Sequence, residues 1–194
     1  IWMAAPNTHS CFGPIIRLLI VTGQRREEVS SLRWEELNRK DLLWTLPGER
    51  AKNGEPNRIP LNELAVAILD EVAGSAIWPR SGRMFTTSRG GRFTGYSKGK
   101  IKLDLLMSQD GREPLPDWRL HDLRRTLATG FQRLGVRFEV TEAVLNHVGG
   151  SRAGVAGIYQ RHDWKDEKRE AMKSWNDHLA AIIRLANMAR DRAW

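Results

Sequence analysis

At 194 residues with 41% hydrophobic content, the chain is long enough to bury a real core, roughly 70% of its extended surface. A single cysteine, Cys11, excludes an internal disulfide and a cysteine-based metal site, and no apolar run approaches the ~20 residues of a membrane span. No signal-peptide pattern is present, the single cysteine fits a reducing, cytoplasmic setting, and a formal charge of +8 favours a polyanionic partner, nucleic acid before an acidic membrane surface.

The chain opens at Ile1 on "IWMAA", which reads as the end of a helix, so residues 1–13 are expected to be the clipped lead-in of a domain from a longer protein. "GPIIRLLIVTG" predicts a helix with Pro14 in its first turn and Gly23 ending it. "RREEVSSLRW" predicts a second, with Glu27 and Glu28 well placed for its positive N-terminal end. "LLWTLPGERAKNGEPNRIPL" reads as two strands around an Asn53-Gly54 turn. "LNELAVAILDEVA" is amphipathic at helical period. Residues 77–99 are loop-like, with several glycines and basic side chains, and "YSKGKIKLDLLM" returns to helix. After a loop over 109–117, helices are expected around Leu120–Leu134 and Val140–His147, then a glycine-rich joint from Gly149 to Gly157. A long helical tail, 163–194, begins near Asp163 as its N-cap. The fold class is mainly α with a small antiparallel β-sheet (α+β), in one domain over 1–194.

Some charges fall where water should not reach. On a helical wheel Leu120, Leu123, Leu127, Phe131 and Leu134 form one apolar arc. Arg125 lies roughly 140° from Leu120, in solvent, whereas Arg124 lies only about 40° away, on the rim of the arc, with His121 at i−3. Arginine cannot shed its charge, so Arg124 calls for an anionic partner. The same wheel puts Arg25 between Val29 and Leu32, on the apolar axis, with Glu28 at i+3 to hold it, while Arg26 is ordinary surface. His147 shares a face with Val140 and Val144, and Tyr159 follows one turn after Val155. Two arginines, two histidines and a tyrosine turned inward in a basic chain favour a phosphate site over a set of paired core charges.

Taken in order, "TGQRREEV", "RAKNGEPNRIPL", "LHDLRRTLAT", "LNHVGG" and "GIYQRHDW" resemble the motifs of the phage-type integrases, the tyrosine recombinases. The resemblance runs from Phe12 to about Trp175 and implies the fold of that family's catalytic domain. It matches Arg25 to the first catalytic arginine, with Glu28 as its acidic companion, and Lys52 to the lysine of the β-hairpin. It matches His121 and Arg124 to the H-x-x-R pair, His147 to the later histidine and Tyr159 to the nucleophile. Tyr96, the one other tyrosine, stands where the family has none. Two departures stand out. The His147-to-Tyr159 interval is longer than in many members, and the family's N-terminal DNA-clamping domain has no counterpart here.

The resemblance implies metal-free and cofactor-free phosphoryl transfer on double-stranded DNA, for integration or excision of a mobile element. Tyr159 would attack a phosphodiester to give a 3′-phosphotyrosyl link and a free 5′-hydroxyl. Arg25 and Arg124 would grip the non-bridging oxygens, Lys52 would protonate the leaving oxygen, His121 would act as acid–base group, and His147 would hydrogen-bond the phosphate. A type IB topoisomerase uses similar residues, but "HDLRR" and the short tail after Tyr159 resemble integrases more. A non-catalytic DNA-binding module would have lost some of these residues. Metal-dependent transposition needs a carboxylate cluster, whereas Glu27/Glu28, Glu35/Glu36 and Asp163/Asp166/Glu167 read as helix-end and surface charges. The resemblance also implies a homotetramer on synapsed DNA, assisted by DNA-bending or directionality factors. The tail stripe Ala171, Trp175, Leu179, Ile182, Ala186, Ala189 fits either a helix folded on its own core or a surface given to a neighbour, and Trp175–Ala189 is expected to be the latter.

Overall fold

The computed structural model describes residues 1–9, 11–109, 115–147 and 163–191. Among them are α1 (Phe12–Thr22), α2 (Arg26–Ser30), β1 (Leu37–Asn38), β2 (Leu43–Leu46), β3 (Asn57–Pro60), α3 (Glu63–Ala73), α4 (Tyr96–Ser108), α5 (Leu120–Arg133), α6 (Phe138–Leu145) and α7 (Lys165–Asp191). The expected α+β class holds. The glycine-rich joint from Gly149 to Gly157 and Tyr159 lie outside the described residues, as does part of the 109–117 loop.

Helix α1 is apolar on nearly every face, and such a helix belongs at the centre. It packs against α2, α3, α5 and α7, burying Phe12, Ile15, Ile16, Leu18, Leu19 and Val21. Gly23 ends it in the left-handed region at φ 64°, with its N–H on the Leu19 carbonyl. Asn62 caps α3 by accepting the Ala65 N–H at 2.9 Å.

The sheet has one strand more than the sequence suggests. Its antiparallel order is β1-β2-β3, with Leu46 opposite Asn57 where β2 and β3 part. Asn53-Gly54 is therefore not a two-residue hairpin turn. It sits inside a longer connection over 47–56, behind a 3₁₀ turn at Gly48–Arg50. Arg50 anchors that connection: its guanidinium bonds both carboxylate oxygens of Glu36, at 2.6 and 2.7 Å, and the Ser31 hydroxyl at 2.7 Å. The buried Glu36 also accepts the Trp44 indole N–H at 3.0 Å.

The second predicted helix is cut short. α2 has five residues, and Arg25 precedes it as an extended N-cap at φ −72°, ψ 147°. The chain leaves α2 because residues 32–34 pair instead with 82–84, through Met84 N–H to Leu32 O and Trp34 N–H to Gly82 O. Similarly, α7 begins at Lys165, and Asp163 caps it from two residues back, accepting the Lys165 N–H at 3.1 Å.

The largest correction concerns the tail. Trp175 is 2% exposed, stands edge-on to Phe131 and donates its indole N–H to the Ile20 carbonyl at 3.0 Å. Ala171, Met172 and Leu179 join the same core. A Cβ at Gly130 would lie 2.3 Å from the Trp175 ring, so this mid-helix glycine of α5 exists to admit the indole. The stripe is thus divided: through Leu179 it closes the chain's own core, and from Ile182, 49% exposed, it is open to solvent.

Trp175→Ala is expected to lower the unfolding free energy by about 3–5 kcal/mol in urea melts, whereas Leu185→Ala should shift it by less than about 0.5 kcal/mol. Equal effects would contradict a core closed by the first half of α7.

Candidate active site

The candidate side chains converge on the C-terminal end of α6. A helix leaves its last carbonyls without intrahelical partners, and they carry the negative end of its dipole. Here the Glu142 and Ala143 carbonyls take the backbone N–H groups of His147 and Asn146, and the next three are met by side chains from elsewhere. The Val144 carbonyl receives the amides of Gln24 at 3.0 Å and Asn57 at 3.1 Å. The Leu145 carbonyl receives Arg124. The Asn146 carbonyl receives Asn53 at 2.8 Å and, as a long contact of 3.5 Å, Arg25.

Arg124 behaves as its place on the wheel requires. It is 4% exposed, while the side chain of neighbouring Arg125 is 75% exposed and pairs with Asp122. Its partners differ from expectation. No carboxylate pairs with it among the described residues; its second bond, 2.8 Å, goes to the Gly23 carbonyl at the end of α1. The guanidinium thus spans two helix C-termini, whose partial negative charge stabilises it without cancelling it. Burial, then the nearby Arg25 cation, lower its pKa to about 10, with Glu28 and Glu142 opposing, so it remains a cation at neutral pH.

Arg25 is partly buried, but for a reason the wheel cannot give. As the N-cap of α2 it lies outside the helix, held by Glu28: one carboxylate oxygen accepts the Arg25 backbone N–H at 3.0 Å and the other its guanidinium at 3.1 Å. That second oxygen also takes the Lys52 backbone N–H at 3.4 Å. One buried carboxylate therefore ties an arginine to the lysine's loop. Lys52 itself is exposed.

The histidines are less inward than expected. His121 is exposed on the first turn of α5, and its pKa is pushed below the ordinary value by partial desolvation and then by Arg124 and Arg125, against the opposing pull of Asp122. His147 is not on α6. Asn146 ends that helix in the left-handed region at φ 50°, ψ 49°, and His147 follows, half-exposed, its Nδ1 2.7 Å from the Glu142 carboxylate. A carboxylate accepts, so Nδ1 carries hydrogen and Nε2 is the free edge. Tyr96 has a different occupation: its hydroxyl donates to Ser30 Oγ at 2.5 Å and Arg26 stacks over its ring.

Hydrogen bonds bring Arg25, Arg124, the Lys52 loop and His147 together at the C-terminal end of α6, and His121 lies within reach of the charges of Arg124 and Arg25. Sequence reasoning missed Asn53, Asn146, Gln24 and Asn57, which build this junction. The signal that could have found Asn146 is an asparagine just past an apolar helical run, where a left-handed cap is due. Among the described residues no three His, Cys, Asp or Glu side chains gather as a metal site, and no helix is long and apolar enough to cross a membrane.

A sequence profile of the phage integrase family matches residues 4–164. Prophage integrase IntZ of Escherichia coli (strain K12) is 28% identical over 170 residues, 87% of this chain but only 39% of IntZ. The chain thus spans about two fifths of the length of that relative. The integrase of transposon Tn1549 in complex with circular intermediate DNA superposes with a TM-score of 0.59 at 18% identity, over 88% of this chain and 62% of the other. The catalytic domain of bacteriophage HP1 integrase does so at 0.54 and 18%, over 94% and 87%. At such identity the two structures show the fold alone. With the profile spanning most of its length and this fold around these side chains, the chain belongs to the phage integrase family, and its architecture is that of the tyrosine recombinase catalytic domain.

Proposed function

We propose that the chain is a single catalytic domain that cuts and rejoins DNA strands at recombination sites, in the cytoplasm, through a covalent phosphotyrosyl intermediate. The observation that carries this reading is Arg124: a buried guanidinium, held by two helix ends and touched by no carboxylate among the described residues, beside a second arginine. Such a charge is preorganised for an anion. DNA supplies a singly charged phosphodiester, and the Tn1549 neighbour is an integrase described in complex with DNA.

In this reading Tyr159 Oη attacks the scissile phosphorus while His121 takes its proton. The P–O5′ bond breaks as Lys52 Nζ delivers a proton to the departing oxygen. Arg25 and Arg124 hold the non-bridging oxygens, where charge grows, and His147 hydrogen-bonds the same phosphate. The covalent link conserves the bond for religation to a new 5′-hydroxyl. Glu28 holds Arg25 and the Lys52 loop in place. Four such domains on synapsed DNA would make the recombining unit, joined through the outward half of α7, where Ile182, Leu185 and Met188 are exposed.

On a nicked suicide substrate the wild type should accumulate a covalent DNA adduct. Tyr159→Phe should form none, and Arg124→Lys should cut roughly 10²–10³-fold more slowly. An adduct that survives Tyr159→Phe, or that maps to Tyr96, would overturn the assignment.

The pH profile tests His121. Its neutral form is the base, and neighbouring cations lower its pKa, so cleavage should fall only as pH drops below the ordinary histidine range. Arg125→Gln removes one of those cations, raising the His121 pKa. The acid limb should move to higher pH while the rate at pH 8 stays unchanged. A limb that does not move would show that another group titrates.

A further inference from the structure

The connection that carries Lys52 is anchored at both ends, and the chemistry above uses only one anchor. Before the lysine, Arg50 grips Glu36 and Ser31. After it, Asn53 and Asn146 form a reciprocal amide pair. Asn53 Nδ2 donates to the Asn146 carbonyl at 2.8 Å, and Asn146 Nδ2 donates back to Asn53 Oδ1 at 3.2 Å and to the Glu55 carbonyl at 2.8 Å. Asn146 is 3% exposed and left-handed. A residue needed only to end α6 would be glycine, which adopts that conformation without strain. Asparagine tolerates it and places its amide hydrogens on the opposite loop.

We propose that Asn53 and Asn146 are positioning residues for Lys52. Asn53 directly follows Lys52 and Asn146 directly precedes His147, so the pair fixes the lysine's loop to the segment that meets the phosphate. The proposal rests on the reading of Lys52 as the acid that protonates the leaving oxygen. Lysine's four-carbon stem makes its ammonium easy to misplace, and a displacement of about 1 Å at a reacting group costs on the order of 10²-fold in rate. A neutral latch suits the place. An ion pair there would add a carboxylate to the site and compete with the phosphate for its cations, whereas paired amides hold direction without charge.

The test uses single-turnover cleavage by the 194-residue chain on two suicide substrates, one with the natural 5′-oxygen at the scissile phosphate and one with 5′-bridging sulfur. A thiolate leaves without being protonated, so sulfur removes the need for the acid. Asn146→Gly, which preserves the left-handed backbone, and Asn53→Ala, on the half-buried loop, should each cut the oxygen substrate 10- to 10²-fold more slowly. Both should cut the sulfur substrate at the wild-type rate, as Lys52→Ala should, and the double variant should be no slower than the slower single one. Equal slowing on both substrates would mean that the pair supports the fold or the phosphate grip, and no slowing on either would mean that the latch is idle; each overturns the proposal. If Lys52→Ala itself is not rescued by sulfur while the asparagine variants are, the role of Lys52 as acid falls and the latch must position another group, which also overturns it.

Discussion

The unpaired carbonyls at the end of α6 are the constraint around which the candidate site is arranged. Buried backbone acceptors without partners cost about 1–3 kcal/mol each, so a helix that ends inside a protein must be met by donors. In this chain those donors come from the turn after α1, from the N-cap of α2, from the β2–β3 connection and β3, and from α5. Satisfying one helix end therefore draws three distant stretches of sequence to one place. The partial negative charge there also lets two guanidiniums approach each other, which water-exposed arginines would not do unaided.

Carboxylates are present but kept to the side. Glu28 neutralises part of Arg25 while fixing the Lys52 backbone, and Glu142 holds His147. Neither touches Arg124. Had either carboxylate closed on Arg124, the site would hold a buried ion pair, a stable arrangement with little left to offer a phosphate. Its charge is instead supported by dipoles, which cannot compete with a full anion. The depressed pKa of Arg124 expresses the same balance: burial and the Arg25 cation disfavour its charged form, and Glu28 and Glu142 offset them only in part.

How much of this was legible in the sequence depends on what sets each residue's environment. Arg124 and Arg125 were separable because α5 is a long regular helix, so angular position alone decides burial. Arg25 was placed inward by a wheel that did not apply. Its helix stops after five residues because 32–34 pair with 82–84, a long-range contact that leaves no mark on local periodicity. His121 and His147 were read as inward from their faces, yet one lies on an exposed first turn and the other beyond the helix end. For the tail, periodicity announced a buried face without saying against what. Gly130 held the answer: a glycine inside a helix costs about 1 kcal/mol, and the packing that justifies it is the Trp175 ring.

One side chain ties the end of α6 to the start of α7. Asn57, on β3, donates to the Val144 carbonyl at the end of α6 and accepts from Lys168 Nζ, in the first turn of α7, at 3.0 Å. Lys168 also donates to the Arg58 carbonyl at 3.0 Å. The elements on either side of residues 148–162 are thus fastened to the same strand, close to the loop that carries Lys52. With both ends fixed and Trp175 sealed in the core, α7 cannot leave as a unit without exposing a large aromatic surface. Any exchange between neighbouring copies is then confined to the part of α7 beyond Leu179. Under the proposed reading, positioning the tyrosine and joining a partner would be separate tasks, divided within one helix at the point where its stripe leaves the core.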